Sequence, residues 1–171
     1  MSAQLQCEAA APWRHEPLGV ADLDAVMAIE NVVYAFPWTR GNFIDALAAG
    51  YHAQVLCDAQ GAIGAYCVAM AGVQEMHLLN LTVAPPQRGL GLARAMLDAL
   101  VAAGQAGGAQ CLWLEVRQSN QRAQAVYRRY GFESVGVRRG YYPAAHGQRE
   151  DACVMRLGWP AAAAEGSHAL E

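Results

Sequence analysis

The apolar and polar residues of the chain follow two different periods, which predict strands and helices in a definite order. Short apolar or alternating runs bounded by turn residues are typical of strands, whereas apolar residues three and four positions apart are typical of amphipathic helices. These patterns predict seven strands, at residues 13–18, 51–57, 62–71, 75–83, 110–116, 132–137 and 152–157. They predict four helices, at residues 22–34, 39–50, 93–106 and 120–130. Residues 138–151 are predicted to link the last two strands.

The order of these elements, β-α-α-β-β-β-α-β-α-β-β, predicts an α/β fold with a mixed sheet. A chain of 171 residues is expected to form one domain with its own core. We predict that this domain spans residues 13–158. Residues 1–12 are predicted to form a flexible N-terminus, and the Ala-rich residues 159–171 an unstructured tail. Thr39 is the predicted N-cap of the second helix, because its hydroxyl can accept a hydrogen bond from a free backbone N–H.

The segment after the strand at 75–83 has the features of an anion-binding turn. Two prolines break the strand, and a turn containing Gly89 and Gly91 leads into an Ala- and Leu-rich helix. Unpaired N–H groups in the first turn of a helix, together with the helix dipole, favour an anion there. Glycine lets a diphosphate approach those amides closely. The alternative, which this segment alone leaves open, is a turn that caps the helix and binds nothing.

The spacing of the turn distinguishes between phosphate ligands. A dinucleotide fingerprint needs a third glycine or alanine where this chain has Arg94, and a P-loop needs a lysine, which the chain lacks entirely. Both absences disfavour a nucleotide-phosphate binder. What fits is Arg88-x-x-Gly91-x-Ala93, which resembles the [Q/R]-x-x-G-x-[G/A] signature of GNAT-type acetyltransferases. In those enzymes this loop cradles the pyrophosphate of acetyl-CoA.

A second group of candidate functional residues lies in the strand at 110–116 and the helix that follows it. Glu115 is near the end of an otherwise apolar strand, where a carboxylate is costly to bury unless it is paired or has a role. A structural pair with Arg117, on the same face of the strand, is the alternative. Asn120 can cap the next helix. Tyr127, two turns further along, is expected on the same helical face, with ordinary core packing as its alternative.

Composition and charge restrict the class of protein. Apolar residues make up 54% and charged residues 16%, as in a folded globular protein. A net charge of -3 argues against a nucleic-acid binder. The five cysteines are scattered and odd in number, which predicts no disulfide framework, no metal site and a reducing compartment. With no leader sequence and no apolar stretch of membrane-spanning length, we expect a cytoplasmic protein with no membrane association.

Six segments together carry a more specific resemblance. They are YAFPWT, LNLTVAP, the RxxGxA loop, LEVRQSNQRAQAVYRRYGF, RRGYYP and QREDACVM. Together they resemble the ribosomal-protein alanine N-acetyltransferases, the RimI type within the GNAT superfamily, over residues 18–157. The resemblance implies a mixed, mostly antiparallel central sheet flanked by helices in a single domain. Gln148 departs from the pattern, because the family usually has Gly-Arg there, and the substrate loop is therefore expected to differ slightly.

The resemblance also implies roles for individual residues. Glu115 is the expected proton acceptor and Tyr127 the expected proton donor, with Glu75 as the rival acceptor. The residues expected to contact acetyl-CoA are Leu81, Thr82, Val83, Arg88, Gly89, Leu90, Gly91, Leu92, Ala93, Arg94 and Asn120. The candidates for binding the peptide are Phe36, Trp38, Tyr141, Tyr142, Arg149, Glu150 and Asp151.

The expected reaction is transfer of an acetyl group from acetyl-CoA, without a metal, to the N-terminal alanine of ribosomal protein S18 or a similar Ala-initiated peptide. One alternative is an acetyltransferase for a broader range of N-termini or small amines. The other is a CoA-sensing interaction module without turnover.

Overall fold

The computed structural model describes residues 13–160, which form an open mixed sheet with helices on both faces. The strands in these residues are β1 (Arg14–Pro17), β2 (His52–Cys57), β3 (Ile63–Ala71), β4 (Met76–Val83), β5 (Cys111–Arg117), β6 (Glu133–Pro143) and β7 (Arg149–Gly158). The helices of more than one turn are α1 (Leu23–Val33), α2 (Arg40–Ala48), α3 (Leu92–Ala106) and α4 (Gln121–Tyr130). The sheet order is β1-β2-β3-β4-β5-β7-β6. Only β4 and β5 are parallel, so the predicted mostly antiparallel α/β fold is confirmed.

The two faces of the sheet carry separate hydrophobic cores. On one face α3 presents Leu92, Met96, Leu97 and Leu100, spaced three and four apart, to the buried side chains of β4 and β5. On the other face α1 and α2 bury residues such as Phe43 against β2 and β3. Thr39 caps α2 as predicted, since its hydroxyl accepts a hydrogen bond from the Asn42 N–H at 3.2 Å. None of the helices in residues 13–160 has the length and apolar character needed to cross a bilayer.

Two predicted boundaries near the C-terminus are wrong. The supposed linker at 138–151 is mostly strand, because β6 continues to Pro143 and β7 begins at Arg149. The strand β6 lies at the edge of the sheet, largely exposed, so no apolar alternation marks it. Trp159 does not belong to a free tail. Its indole N–H donates to the Ala109 carbonyl at 2.7 Å, and its backbone N–H donates to the Gln110 carbonyl at 3.1 Å. The predictions for residues 1–12 and 161–171 lie outside the described residues.

The sheet opens where β4 and β5 separate. Their parallel pairing joins Met76–Leu78 to Leu112–Leu114, and the last residues of β4 have no strand beside them on that side within the described residues. On its other side β4 skips a residue in its register with β3, since Val68 pairs with Asn80 while Ala69 pairs with Leu78. Leu79 is therefore left out of the ladder, as in a β-bulge. The opening exposes the end of β4 to the loop that precedes α3.

Candidate active site

A cavity of about 890 Å³ occupies the gap at the carboxyl end of β4, between the loop before α3 and one face of α4. Its volume is within the range of small-molecule sites. Most of the predicted contacts line it, namely Leu81, Thr82, Val83, Arg88, Gly89, Gly91, Leu92, Ala93, Arg94, Asn120, Tyr127 and Phe36. Glu150 also lines it. Eight other predicted residues do not line it, namely Leu90, Trp38, Glu75, Glu115, Tyr141, Tyr142, Arg149 and Asp151. The sequence therefore identified the cavity more completely than it identified the residues around its entrance.

Glycine gives the loop before α3 its shape. Gly89 and Gly91 have φ angles of 83° and 80°, in the left-handed region that other residues rarely adopt. A Cβ on either would meet nothing within 4 Å, so the requirement is conformational and not a matter of space. Gly91 immediately precedes α3, and no side chain caps that end of the helix. The N–H groups of the first turn of α3 thus have no side-chain cap, and such groups favour an anion.

The lining of the cavity is strongly basic although the protein is acidic overall. Five arginines line it, namely Arg88, Arg94, Arg117, Arg122 and Arg129, against a single carboxylate, Glu150. Guanidinium groups are well suited to phosphate oxygens, because they present several donors in a fixed geometry. The cavity therefore fits a ligand that carries several negative charges at one end. No three His, Cys, Asp or Glu side chains among residues 13–160 are grouped closely enough to hold a metal ion.

Tyr127 lies deep in the cavity wall. Its ring packs edge-on against Phe132, with centroids 5.5 Å apart, and only 8% of the residue is exposed. Burial raises the pKa of its hydroxyl, and the neighbouring Tyr34 and Tyr142 add to the shift. The group is therefore protonated at neutral pH and can act as a hydrogen-bond donor. Asn120 caps α4, since its side-chain oxygen accepts from the Ala123 N–H at 3.1 Å, as predicted.

Glu115 does not line the cavity and is paired with a residue that the sequence did not suggest. Its carboxylate accepts a hydrogen bond from Arg138 at 2.9 Å, and its backbone carbonyl accepts one from the Tyr142 hydroxyl at 2.9 Å. The alternative of a Glu115–Arg117 pair is not what the structure shows. Arg138 is half exposed, so this ion pair is accessible to water and weak.

Arg117 joins two segments at the entrance of the cavity. Its guanidinium donates to Glu150 at 3.0 Å and lies 4.5 Å from the ring centre of Tyr142 and 5.5 Å from that of Phe36. Glu150 also accepts from the Ser119 N–H at 2.7 Å, which ties the loop after β5 to β7. Hydrogen bonds from Ser119 and, to a smaller extent, from Arg117 hold the pKa of the Glu150 carboxyl below its usual range.

The lowered pKa of Glu150 predicts how stability depends on pH. Its contribution is present above the ordinary pKa of a glutamate, about 4.3, and is lost as the pH falls through the lower folded-state value. We expect Glu150→Gln to reduce the free energy of unfolding by about 1 kcal/mol at pH 7. The difference from wild type should shrink toward zero below about pH 4. Urea titrations of both proteins at pH 7 and at about pH 3 measure this difference.

The control for this prediction is Glu133→Gln, on the exposed edge strand. Glu133 forms no salt bridge with any of the residues that the structure describes. A Glu150→Gln variant that loses as much stability at pH 3 as at pH 7 would contradict the assignment of the loss to its charge.

Glu75 is placed far from the cavity. It accepts a hydrogen bond from His77 at 2.9 Å, which lowers the pKa of its carboxyl. It precedes β4, whereas the cavity opens at the other end of that strand. The distance from Glu75 to Leu81 along the strand is about 20 Å, at about 3.3 Å per residue. The structure thus gives the rival proton acceptor no route to the cavity.

Glu30 and Tyr34 are the functional candidates that sequence reasoning missed. Glu30 is 1% exposed, on the face of α1 that also buries Leu23 and Val26. Tyr34, at the end of that helix, lines the cavity. A signal was present in the sequence, because a glutamate occupies the i+7 position of an otherwise apolar helical stripe. Such a position is rarely charged unless the charge is bound by other groups.

The chain belongs to the acetyltransferase (GNAT) family, whose model matches residues 23–132. Among its relatives is a protein of Escherichia coli named [ribosomal protein bS18]-alanine N-acetyltransferase, 37% identical over 140 residues, or 82% of this chain and 93% of that one. A protein of the same name from Haemophilus ducreyi is 36% identical over 136 residues, 80% of this chain and 93% of that one. The crystal structure of the ribosomal-protein-S18-alanine N-acetyltransferase from Escherichia coli superposes with a TM-score of 0.79 at 34% identity. That match covers 94% of this chain and 100% of that one.

Proposed function

We propose that the protein is an acetyl-CoA-dependent Nα-acetyltransferase that modifies the N-terminal alanine of ribosomal protein bS18. The observation that carries this is the arrangement at the end of β4, where an open strand edge, a glycine turn and five arginines meet in one cavity with Tyr127. The relatives named as bS18-alanine N-acetyltransferases match this chain over 93% of their own length, which supports the substrate.

The residues of the cavity fit acetyl-CoA. Backbone N–H groups from Gly89 to Arg94 would bind the pyrophosphate, and the basic side chains would neutralise the phosphates. Leu90 is 60% exposed and would contribute through its backbone alone. The backbone of Leu81–Val83, free on the side away from β3, would pair with the pantetheine arm, and the amide of Asn120 would contact the same arm. When bound, acetyl-CoA supplies the acetyl group as a thioester.

Removal of a proton from the acceptor amine is the first chemical requirement. An α-amino group has a pKa of about 8 and arrives largely protonated at neutral pH. We assign the acceptor role to Glu115 acting through water, since it is outside the lining but lies two residues before Arg117, which lines the cavity. Glu150 lies in the lining, but hydrogen bonds from Ser119 and Arg117 stabilise its charged form and lower its pKa, which makes it a weaker base. A backbone N–H released by the bulge in β4 at Leu79 would stabilise the charge that develops on the thioester oxygen.

The acceptor peptide would enter between the loop after α1 and the β6–β7 hairpin. Phe36 and Tyr142 flank Arg117 there and would contact the first residues of the peptide. Trp38 packs against Phe43, with centroids 5.2 Å apart, and would support this wall from behind. Tyr141 is exposed and stacks on a neighbouring arginine, so it would contact later residues of the peptide.

Loss of the Tyr127 hydroxyl is expected to have a moderate effect on turnover. Because the pKa of Tyr127 is raised, full proton transfer to a thiolate with a pKa of about 8.5 is uphill, and the hydroxyl acts mainly as a hydrogen-bond donor to the sulfur. We expect Tyr127→Phe to lower kcat about 10-fold and to leave the KM for the peptide within twofold. Steady-state kinetics on the bS18 peptide measures both.

The matched control is Tyr130→Phe. Tyr130 lies one turn further along α4, and its hydroxyl donates to Asp98 at 2.8 Å. A kcat that falls equally in both variants would show that Tyr127 has no special role at the sulfur.

The function is tested by thiol release from acetyl-CoA with three acceptors: the bS18 N-terminal peptide, the same peptide with a blocked α-amine, and a small primary amine. The proposal predicts release with the first alone. Release with the small amine at a similar kcat/KM would favour the broader acetyltransferase. Binding of acetyl-CoA without release from any acceptor would favour a CoA-sensing module.

A further inference from the structure

A buried carboxylate that the chemistry above does not use connects the two sides of the cavity. Glu30 accepts hydrogen bonds from three neutral donors. These are the Trp38 backbone N–H at 2.8 Å, the Tyr66 hydroxyl, and the Asn80 side-chain amide at 3.3 and 3.4 Å. The donors come from the loop after α1, from β3 and from β4. One side chain thus holds three separate segments together.

Stability alone is a poor explanation for this carboxylate. No arginine or histidine in residues 13–160 forms a salt bridge with Glu30. Burying a charge is costly, and a well-packed apolar side chain in its place is often as stable or more so. What a carboxylate adds is directional acceptance from several donors at once, which fixes their relative positions. We therefore infer that Glu30 serves to fix the relative positions of the three segments that donate to it.

The hydrogen bonds continue from Glu30 to the cavity wall. The Thr82 hydroxyl donates to the side-chain oxygen of Asn80 at 2.8 Å and shares a hydrogen bond with the Tyr34 hydroxyl at 2.9 Å. Tyr34 also approaches the Leu81 carbonyl at 3.4 Å. The network leaves α1 at Glu30, passes through β4 and returns to the end of the same helix. Tyr34, Leu81 and Thr82 all line the cavity.

The network joins the two regions of the cavity that we assign to the two substrates, the acceptor peptide and acetyl-CoA. Residues 34–39 carry Tyr34, Phe36 and Trp38 on the acceptor side, and Leu81–Val83 form the side assigned to acetyl-CoA. We propose that Glu30 is a positioning residue that holds the acceptor loop in register with β4, so that the amine meets the thioester at a fixed separation. This inference rests on the proposed function. A loop that is free to shift would hold the acceptor site in its binding-competent position for only a fraction of the time, which weakens binding of the peptide by that fraction.

Three variants test the role of Glu30. Glu30→Met fills the same space without accepting hydrogen bonds, whereas Glu30→Gln keeps an oxygen for the Trp38 N–H. The control is Val26→Ala, one turn earlier on α1, which weakens core packing and removes no hydrogen bond of the network. We expect Glu30→Met to raise the KM for the bS18 peptide about 10-fold, with kcat within threefold and the Kd for acetyl-CoA within twofold. Glu30→Gln should stay within threefold of wild type, and Val26→Ala should leave the KM unchanged.

Amide hydrogen exchange without any substrate supplies an independent measurement. Glu30→Met should speed exchange in residues 34–39 at least about 10-fold, and Val26→Ala should not. If wild type transfers no acetyl group, the proposed function fails and exchange alone decides this inference. An unchanged exchange rate in 34–39, or a KM that rises equally in Val26→Ala, would overturn it.

If Glu30→Met does not fold, Thr82→Val breaks the same network two hydrogen bonds away and keeps the backbone of β4. We expect it to raise the KM for the peptide about threefold. An unchanged KM for the peptide in Thr82→Val would also overturn the inference.

Discussion

Glu115→Gln is expected to lower kcat for acetylation of the bS18 peptide by about 100- to 1000-fold, within the range that a positioned general base contributes. Glutamine has nearly the same shape but cannot take a proton from the amine. Because Glu115 lies outside the cavity lining, the Kd for acetyl-CoA should stay within twofold. The ion pair with Arg138 is exposed, so the loss of stability should be below about 1 kcal/mol.

The control for Glu115 is Glu75→Gln, which removes a carboxylate at the opposite end of β4. It should change kcat less than twofold. The residual activity of Glu115→Gln should rise with pH through the pKa of the amine, since the substrate then arrives unprotonated. If Glu75→Gln loses the rate and Glu115→Gln does not, the assignment of the base is wrong in spite of the distance from Glu75 to the cavity.

Gly91→Val is expected to weaken binding of acetyl-CoA by about 100-fold or more. A β-branched residue is strained at a φ of 80°, so the turn must change its backbone and move the N–H groups of the first turn of α3. Hydrogen bonds from such groups to a charged phosphate contribute about 1.5–3 kcal/mol each, and loss of two accounts for the expected change. Calorimetry with acetyl-CoA measures it directly.

The other end of α3 offers a closely matched control. Gly108 follows the helix with a φ of 82°, and a Cβ there would also meet nothing within 4 Å. Gly108→Val should therefore cost a similar amount of stability and leave the Kd for acetyl-CoA within twofold. Equal losses of affinity in the two variants would mean that Gly91 acts through the stability of α3 and not through the turn.

The sequence predicted the elements well because each has a regular period and a clear end. The strand β5 is apolar from Cys111 to Leu114, and α3 has an apolar stripe that ends at Gly107 and Gly108. Both strands of the β6–β7 hairpin were predicted, but their extensions into residues 138–143 and 149–151 were missed, because an edge strand can be polar on both faces. Its pairing depends on backbone hydrogen bonds, which leave no pattern in the side chains.

The site was predicted where local sequence sets the geometry and missed where distant segments meet. The turn at Gly89 and Gly91 and the cap at Asn120 are local, and the structure shows both as expected. The partner of Glu115 is not local, because Arg138 reaches it across β7 from a strand whose register is irregular. Glu30 was missed for the same reason, since its donors lie 8, 36 and 50 residues away along the chain.

The central claim is that the turn before α3 binds the pyrophosphate of acetyl-CoA and so places its thioester for transfer to an N-terminal amine. The most direct test compares acetyl-CoA with S-acetylpantetheine, which lacks the pyrophosphate, as donors to the bS18 peptide in wild type and in Gly91→Val. Wild type should use S-acetylpantetheine at least about 1000-fold less efficiently than acetyl-CoA, and Gly91→Val should slow only the reaction of acetyl-CoA. Equal use of both donors by wild type, or equal slowing of both by Gly91→Val, would contradict it.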